Sequence, residues 1–112
     1  MKTEINVLGT IYAIEERNEK SDPKLKECDG YCDKTLKVCV VNNFVDAEND
    51  LMAQTDLNEH KKKVLRHELI HAFLYESGLG ENSWAWNEEI VDWIAYQFPK
   101  LVRAFKEAGC LE

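Results

Sequence analysis

The segment His67-Glu68-Leu69-Ile70-His71 holds the residue types and spacing that metal-assisted hydrolysis needs. Two histidines four positions apart on a helix project from one face, so both imidazoles reach a single ion. Glu68 follows His67 directly and is rotated from it by about 100°. It therefore flanks the ion instead of binding it. From there it accepts a proton from a water whose acidity the metal has raised. His67 and His71 are thus candidate zinc ligands and Glu68 the candidate general base. A catalytic zinc also needs a further protein ligand and an open position.

That further ligand must come from another element, and Asn87-Glu88-Glu89-Ile90-Val91-Asp92 offers it. At about 100° per residue, the apolar residues Ile90, Val91, Trp93, Ile94 and Phe98 gather on one side of a helix. Glu88 and Asp92 share a stripe beside Val91 and Ala95, at the edge of that apolar side. Glu89 projects further toward solvent. Glu88 is therefore placed to look inward at a partner helix. Asp92, one turn on, is placed to hydrogen-bond the free ring nitrogen of a ligating histidine.

Together, His67-Glu68-Leu69-Ile70-His71 and Asn87-Glu88-Glu89-Ile90-Val91-Asp92 resemble the gluzincin metallopeptidases, whose thermolysin-like members carry HExxH and a downstream NExxSD. The resemblance implies His67, His71 and Glu88 as zinc ligands, Glu68 as general base and Asp92 as the carboxylate behind a ligand histidine. Val91 stands where that pattern has serine. The interval of 17 residues from His71 to Glu88 is a little shorter than in thermolysin-like enzymes. The likeness covers Arg66 to about Ile94, and the rest of the chain has no room for the helical domain that carries the oxyanion histidine of the large gluzincins. In size and layout the chain looks more like the minimal single-domain zincins of bacteria and their phages, a group that includes immunity-repressor peptidases. Tyr96, Tyr75 and Tyr31 are the hydroxyls available to replace that histidine. Tyr96 lies about 12 Å along the helix from Glu88.

Other chemistry-bearing residues have plainer readings. His60 lies two helical turns before His67, roughly 10 Å away, and is expected to be exposed. Lys61-Lys62-Lys63 reads as a solvated helix face. Cys28, Cys32, Cys39 and Cys110 permit three disulfide pairings in an oxidising compartment and are expected as reduced thiols in a cytoplasmic chain. The Cys28–Cys32 spacer also falls in the range of structural zinc sites. Trp84, Trp86 and Trp93 are read as core or loop anchors, with Trp84 and Trp86 alternatively lining a substrate subsite.

The elements that must position these residues follow from periodicity. Ile5 to Ile14 is strand-like, with Ile5, Val7, Ile11 and Ala13 alternating against Asn6, Leu8, Thr10 and Tyr12 and Gly9 marking a bulge or a break. Glu15 to Lys34 is polar and reads as a long connection with turns at Asp22-Pro23 and Asp29-Gly30. Leu36, Val38 and Val40 give a half-buried strand. Asp46 to Gln54 suggests a short helical turn. A long helix is expected from near Asn58 to a stop at Gly78. A second runs from about Trp86 to Ala108, with Ile90, Trp93, Ile94, Phe98, Leu101, Val102 and Phe105 as its buried stripe. Pro99 is expected to kink or interrupt it. Strands first and helices after make an α+β fold, a small sheet packed on two main helices.

At 112 residues the chain suits one domain, residues 1–112, with one modest core. Its formal charge of −7 repels phosphate backbones and anionic headgroups, so nucleic acid and membrane surfaces are not expected partners. No leader or membrane-spanning segment is visible in the sequence, so a cytoplasmic location is expected. The sequence reads as a zinc-dependent peptidase acting on a peptide or protein substrate. The alternative is a zinc-stabilised binding or assembly module or a regulator, such as a phage or prophage accessory protein, with little general proteolytic activity. Glu68 argues against that alternative, because a purely structural site requires no base.

Overall fold

The computed structural model describes residues 2–44, 56–80 and 82–112. The helical turn expected at Asp46 to Gln54 lies outside the described residues. The fold is α+β: a four-stranded sheet and two long helices. Among the described residues, no helix is long and apolar enough to cross a membrane.

Strands β1 (Lys2–Val7) and β2 (Thr10–Arg17) form an antiparallel hairpin. Its two loop residues, Leu8 and Gly9, both have positive φ, 51° and 96°, the geometry of a tight primed turn. Gly9 is thus a break between strands, and its N–H donates to Asn6 Oδ1 at 2.7 Å. The two-residue loop also decides which side chains face inward. Ile5 pairs with Tyr12 and Thr3 with Ile14, so the buried parity changes across the turn. Tyr12 and Ile14 are buried while Ile11 is 51% exposed, the reverse of what continuous alternation predicts. One unbroken period cannot describe two strands joined by a loop that resets the face.

Strand β3 (Gly30–Asp33) pairs antiparallel with β4 (Val38–Asn42), and β4 runs parallel to β2, giving the order β1-β2-β4-β3. The polar stretch from Glu15 to Lys34 is therefore not one connection. It holds the end of β2, a 3-10 turn at Pro23–Lys26 and the whole of β3. Four residues were too few to declare an alternation. All five residues of β4 are buried, as a central strand covered on both faces requires. Leu36 is not part of it and is 74% exposed in the turn between β3 and β4.

Helix α1 (Leu57–Glu76) covers one face of the sheet. Ala72 and Leu69 pack there against Val7, Tyr12, Cys39 and Cys32. On the other face Leu25, from the 3-10 turn, packs with Val38 and Val40. Glu76, at the end of α1, accepts hydrogen bonds from Thr10 Oγ1 at 3.0 Å and Tyr12 Oη at 2.7 Å, and pairs with Lys37 Nζ at 2.8 Å. That junction pins the last turn of α1 to the sheet.

A 3-10 turn at Trp84–Trp86 leads into α2 (Glu88–Glu107), capped by Asn87 Oδ1 accepting from Ile90 N–H at 3.0 Å. Helix α2 buries Val91 and Ala95, whereas Trp93, at 56% exposed, and Phe98 stand largely outside. The stripe expected to be buried is thus offset from the side that meets α1. Small residues allow the close approach, and the bulky ones sit beyond it. Trp84, Trp86 and Trp93 are all exposed, not core anchors.

The helix runs through Pro99 without interruption. Proline has no N–H, so the carbonyl four residues earlier, that of Ala95, lacks its helical donor. Arg66 Nε on α1 donates to that carbonyl at 2.6 Å. The defect in one helix is satisfied by the other.

Candidate metal centre

His67 and His71 lie on the α1 face that meets the first turn of α2, where Glu88 is the first residue. Ligand atoms of His67, His71 and Glu88 all lie within 4.8 Å of one another. Glu88 Oε2 stands 3.0 Å from His67 Nε2 and 3.2 Å from His71 Nε2, and the two Nε2 atoms are 3.2 Å apart. Glu88 Oε1 is 2.5 Å from His71 Nε2. Ligands bonded to zinc at ~2.0–2.1 Å in a tetrahedron stand roughly 3.3 Å from each other. The three contacts to Oε2 and between the imidazoles therefore have the size of one tetrahedral face. Two imidazoles and one carboxylate are also the donor set of zinc sites that keep a fourth position open.

Asp92 lies one turn beyond Glu88, and its Oδ1 is 3.2 Å from His67 Nδ1. An Nδ1–H donated to Asp92 leaves the Nε2 lone pair directed at the cluster. Lys63 Nζ pairs with the same Oδ1 at 3.0 Å, and this holds the Asp92 carboxyl below its ordinary range. Lys63 is thus half-buried in the site, not on the solvated face expected of the lysine run; Lys62 alone of the three is well exposed. Burial keeps the His71 imidazole below its ordinary pKa and so in the neutral, ligand-competent form.

Glu68 is outside the ligand set and is 7% exposed. Burial pushes its carboxyl up to about 7, with Glu88 adding to the rise and the charges of His67 and Lys34 opposing it. A carboxylate in that range accepts and returns protons near neutrality. Glu89 is exposed and takes no part in the cluster.

A groove of about 500 Å³ opens over these residues. One wall is α1, with the Trp86 turn and the start of α2 beside it; the other is Cys28 to Cys32, including most of β3. The sheet edge beside the site is therefore β3. Strand β4 is interior, and the β1–β2 hairpin lies at the far side of the sheet. Asn42 N–H bonds to Asp29 O at 2.8 Å, which sets the alternation: Gly30 and Cys32 turn their backbone groups away from β4. A Cβ on Gly30 would lie 2.7 Å from Val64 Cγ1 and 2.7 Å from Val40 O, so β3 rests on α1 with no side chain between.

The remaining candidates fall outside the cluster. His60 is partly buried and bonds Asp29 Oδ2 at 2.7 Å through Nε2. Tyr31 Oη is engaged by Arg17 and Asp22, Tyr75 lies under Lys34 and Lys37, and Tyr96 is exposed. The four cysteines are free thiols, and among the described residues none joins a metal-binding group. Sequence reasoning missed the β3 wall and Lys34. Their only local signal was Asp29-Gly30, which reads equally well as a turn.

No protein-family model, curated protein or solved structure matches the chain.

Proposed function

We propose that this protein is a zinc-dependent peptidase. The observation that carries this reading is the near-tetrahedral face of His67, His71 and Glu88 with the buried Glu68 alongside but outside it. A structural site has no need of a desolvated carboxylate beside an open coordination position. The resemblance of the two helical motifs to gluzincins supports the same reading. His67, His71 and Glu88 hold the ion. Bound zinc supplies the Lewis acidity that makes water nucleophilic near neutral pH and polarises the scissile carbonyl.

The chain's own residues do the rest. Asp92 fixes the His67 ring through Nδ1. Glu68 takes the proton of the attacking water and delivers it to the departing amine. An extended peptide lies along β3, where the backbone groups that Cys32 turns away from β4 pair with it as a further strand.

Glu68→Gln tests the reading. Glu68 is not a ligand, so the variant should retain close to one zinc per chain, by elemental analysis, and a wild-type melting temperature. Hydrolysis of members of a diverse peptide library should fall by ~10²–10⁴-fold, the usual worth of acid–base assistance. Wild-type turnover in Glu68→Gln, or a wild-type protein purified without metal, would remove the proposal.

A further inference from the structure

The basic side chains lining the groove differ in what holds them. Lys63 pairs with Asp92 at 3.0 Å and His60 with Asp29 at 2.7 Å. Lys34 pairs with no carboxylate among the described residues. Its Nζ lies 4.6 Å from the Trp86 ring centroid and 5.5 Å from that of Tyr75, so two aromatic faces hold the ammonium at the groove wall.

Its place follows from the strand. The Cβ direction of Gly30 points at Val64 and Glu68, so the even-numbered positions of β3 face α1. Moving from Gly30 to Lys34, the chain advances from the level of Val64 to that of Tyr75. Lys34 therefore lies beyond His71 along the path that an added strand follows. It makes no hydrogen bond to Glu68 or to the three candidate ligands. That offset suits a substrate group a residue or so from the scissile bond and not the reacting oxygen.

We propose that Lys34, backed by Trp86, is a carboxylate-binding subsite of the groove, and that the preferred substrate carries an acidic side chain or a free C-terminal carboxylate at this position. The inference rests on the peptidase reading, since the metal centre defines where the substrate lies. An ammonium already stacked on indole needs little reordering to accept a carboxylate. Trp86, which is exposed, offers the stem of that residue an apolar wall.

The test uses zinc-loaded protein and two series of peptide probes, with binding followed by calorimetry and by tryptophan fluorescence. One series carries an N-terminal mercaptoacetyl group, with glutamate or glutamine beside it and a free or amidated C-terminus. The other carries a C-terminal hydroxamate preceded by glutamate or glutamine. The two series reach opposite sides of the ion. In one of them the carboxylate should tighten binding to the wild type about tenfold, the scale of one charge-assisted hydrogen bond in a half-open site. Lys34→Met should erase that difference, while Lys34→Arg should keep most of it. Whether side chain or terminus is read shows in which mercaptoacetyl compound gains. Uncharged probes that bind normally while no carboxylate helps in either series would overturn the subsite and spare the peptidase reading. Failure of every probe, with no zinc retained, would overturn both. Equal loss of acid and amide probes in Lys34→Met would make Lys34 a groove-shaping residue and would also overturn the subsite.

Discussion

The hydrogen bond from Arg66 to the Ala95 carbonyl makes a quantitative prediction, because its acceptor is available only as a result of Pro99. Ala95 is fully buried, so its carbonyl without a donor bears a desolvation cost of ~1–3 kcal/mol. Arg66→Ala in the wild-type background should therefore destabilise the fold by roughly 1.5–3 kcal/mol, the range for a bond from a charged donor. Pro99→Ala restores an N–H at the position where the helix expects one and removes the ring's clash, so alone it should stabilise. In that background the carbonyl already has a partner, and Arg66→Ala should cost about 1 kcal/mol or less. The expected coupling is on the order of 1–2 kcal/mol. Urea unfolding of the four proteins in excess chelator, followed by far-ultraviolet circular dichroism, measures it without a contribution from metal binding. Equal costs of Arg66→Ala in the two backgrounds would refute the reasoning, because the Arg66 bond would then be independent of the missing N–H.

The ligand assignment predicts a ranking in zinc affinity measured by chelator competition. Glu88→Ala should lose it strongly, Asp92→Ala by ~10–100-fold, and Glu89→Ala almost not at all; any other order would refute the helix phase on which the site depends. Acid sensitivity should centre in part on Glu76. Its hydrogen bonds from Lys37, Tyr12 and Thr10 hold its carboxyl below the ordinary range, so its contribution is complete above pH ~4–5 and is lost as pH falls further. The melting temperature of Glu76→Gln should accordingly be lower at pH 7 and change less between pH 6 and 3 than that of the wild type.

How far the sequence reveals this arrangement depends on the range of the interactions involved. His67, Glu68 and His71 are related by helical geometry over a single turn, and Glu88 and Asp92 by the same geometry. Each set can be located without knowing what it packs against. The class of fold and both long helices are legible for the same reason. The sheet is not. That Tyr12 and not Ile11 turns inward depends on a two-residue loop, and that β3 exists at all depends on pairing with β4 and resting on α1. Helix α2 shows the intermediate case. Its apolar stripe is plain in the sequence, but the side pressed against α1 is set by where Val91 and Ala95 permit close approach. Pro99 reads as a break only while Arg66 is left out of account.

The glycine at position 30 has a consequence for divergence. Because the strand and helix meet there across a hydrogen atom, the width of the groove is set by the absence of a side chain. A methyl group would force β3 outward and carry the strand away from Glu68, even with every polar residue of the site intact. Descendants of this chain should therefore drift freely at Trp93, Tyr96 and Leu36, which face solvent, and hold still at Gly30, Ala72, Val91 and Ala95. In this lineage the marks of common descent would be small residues at contacts as much as the acids and histidines of the site.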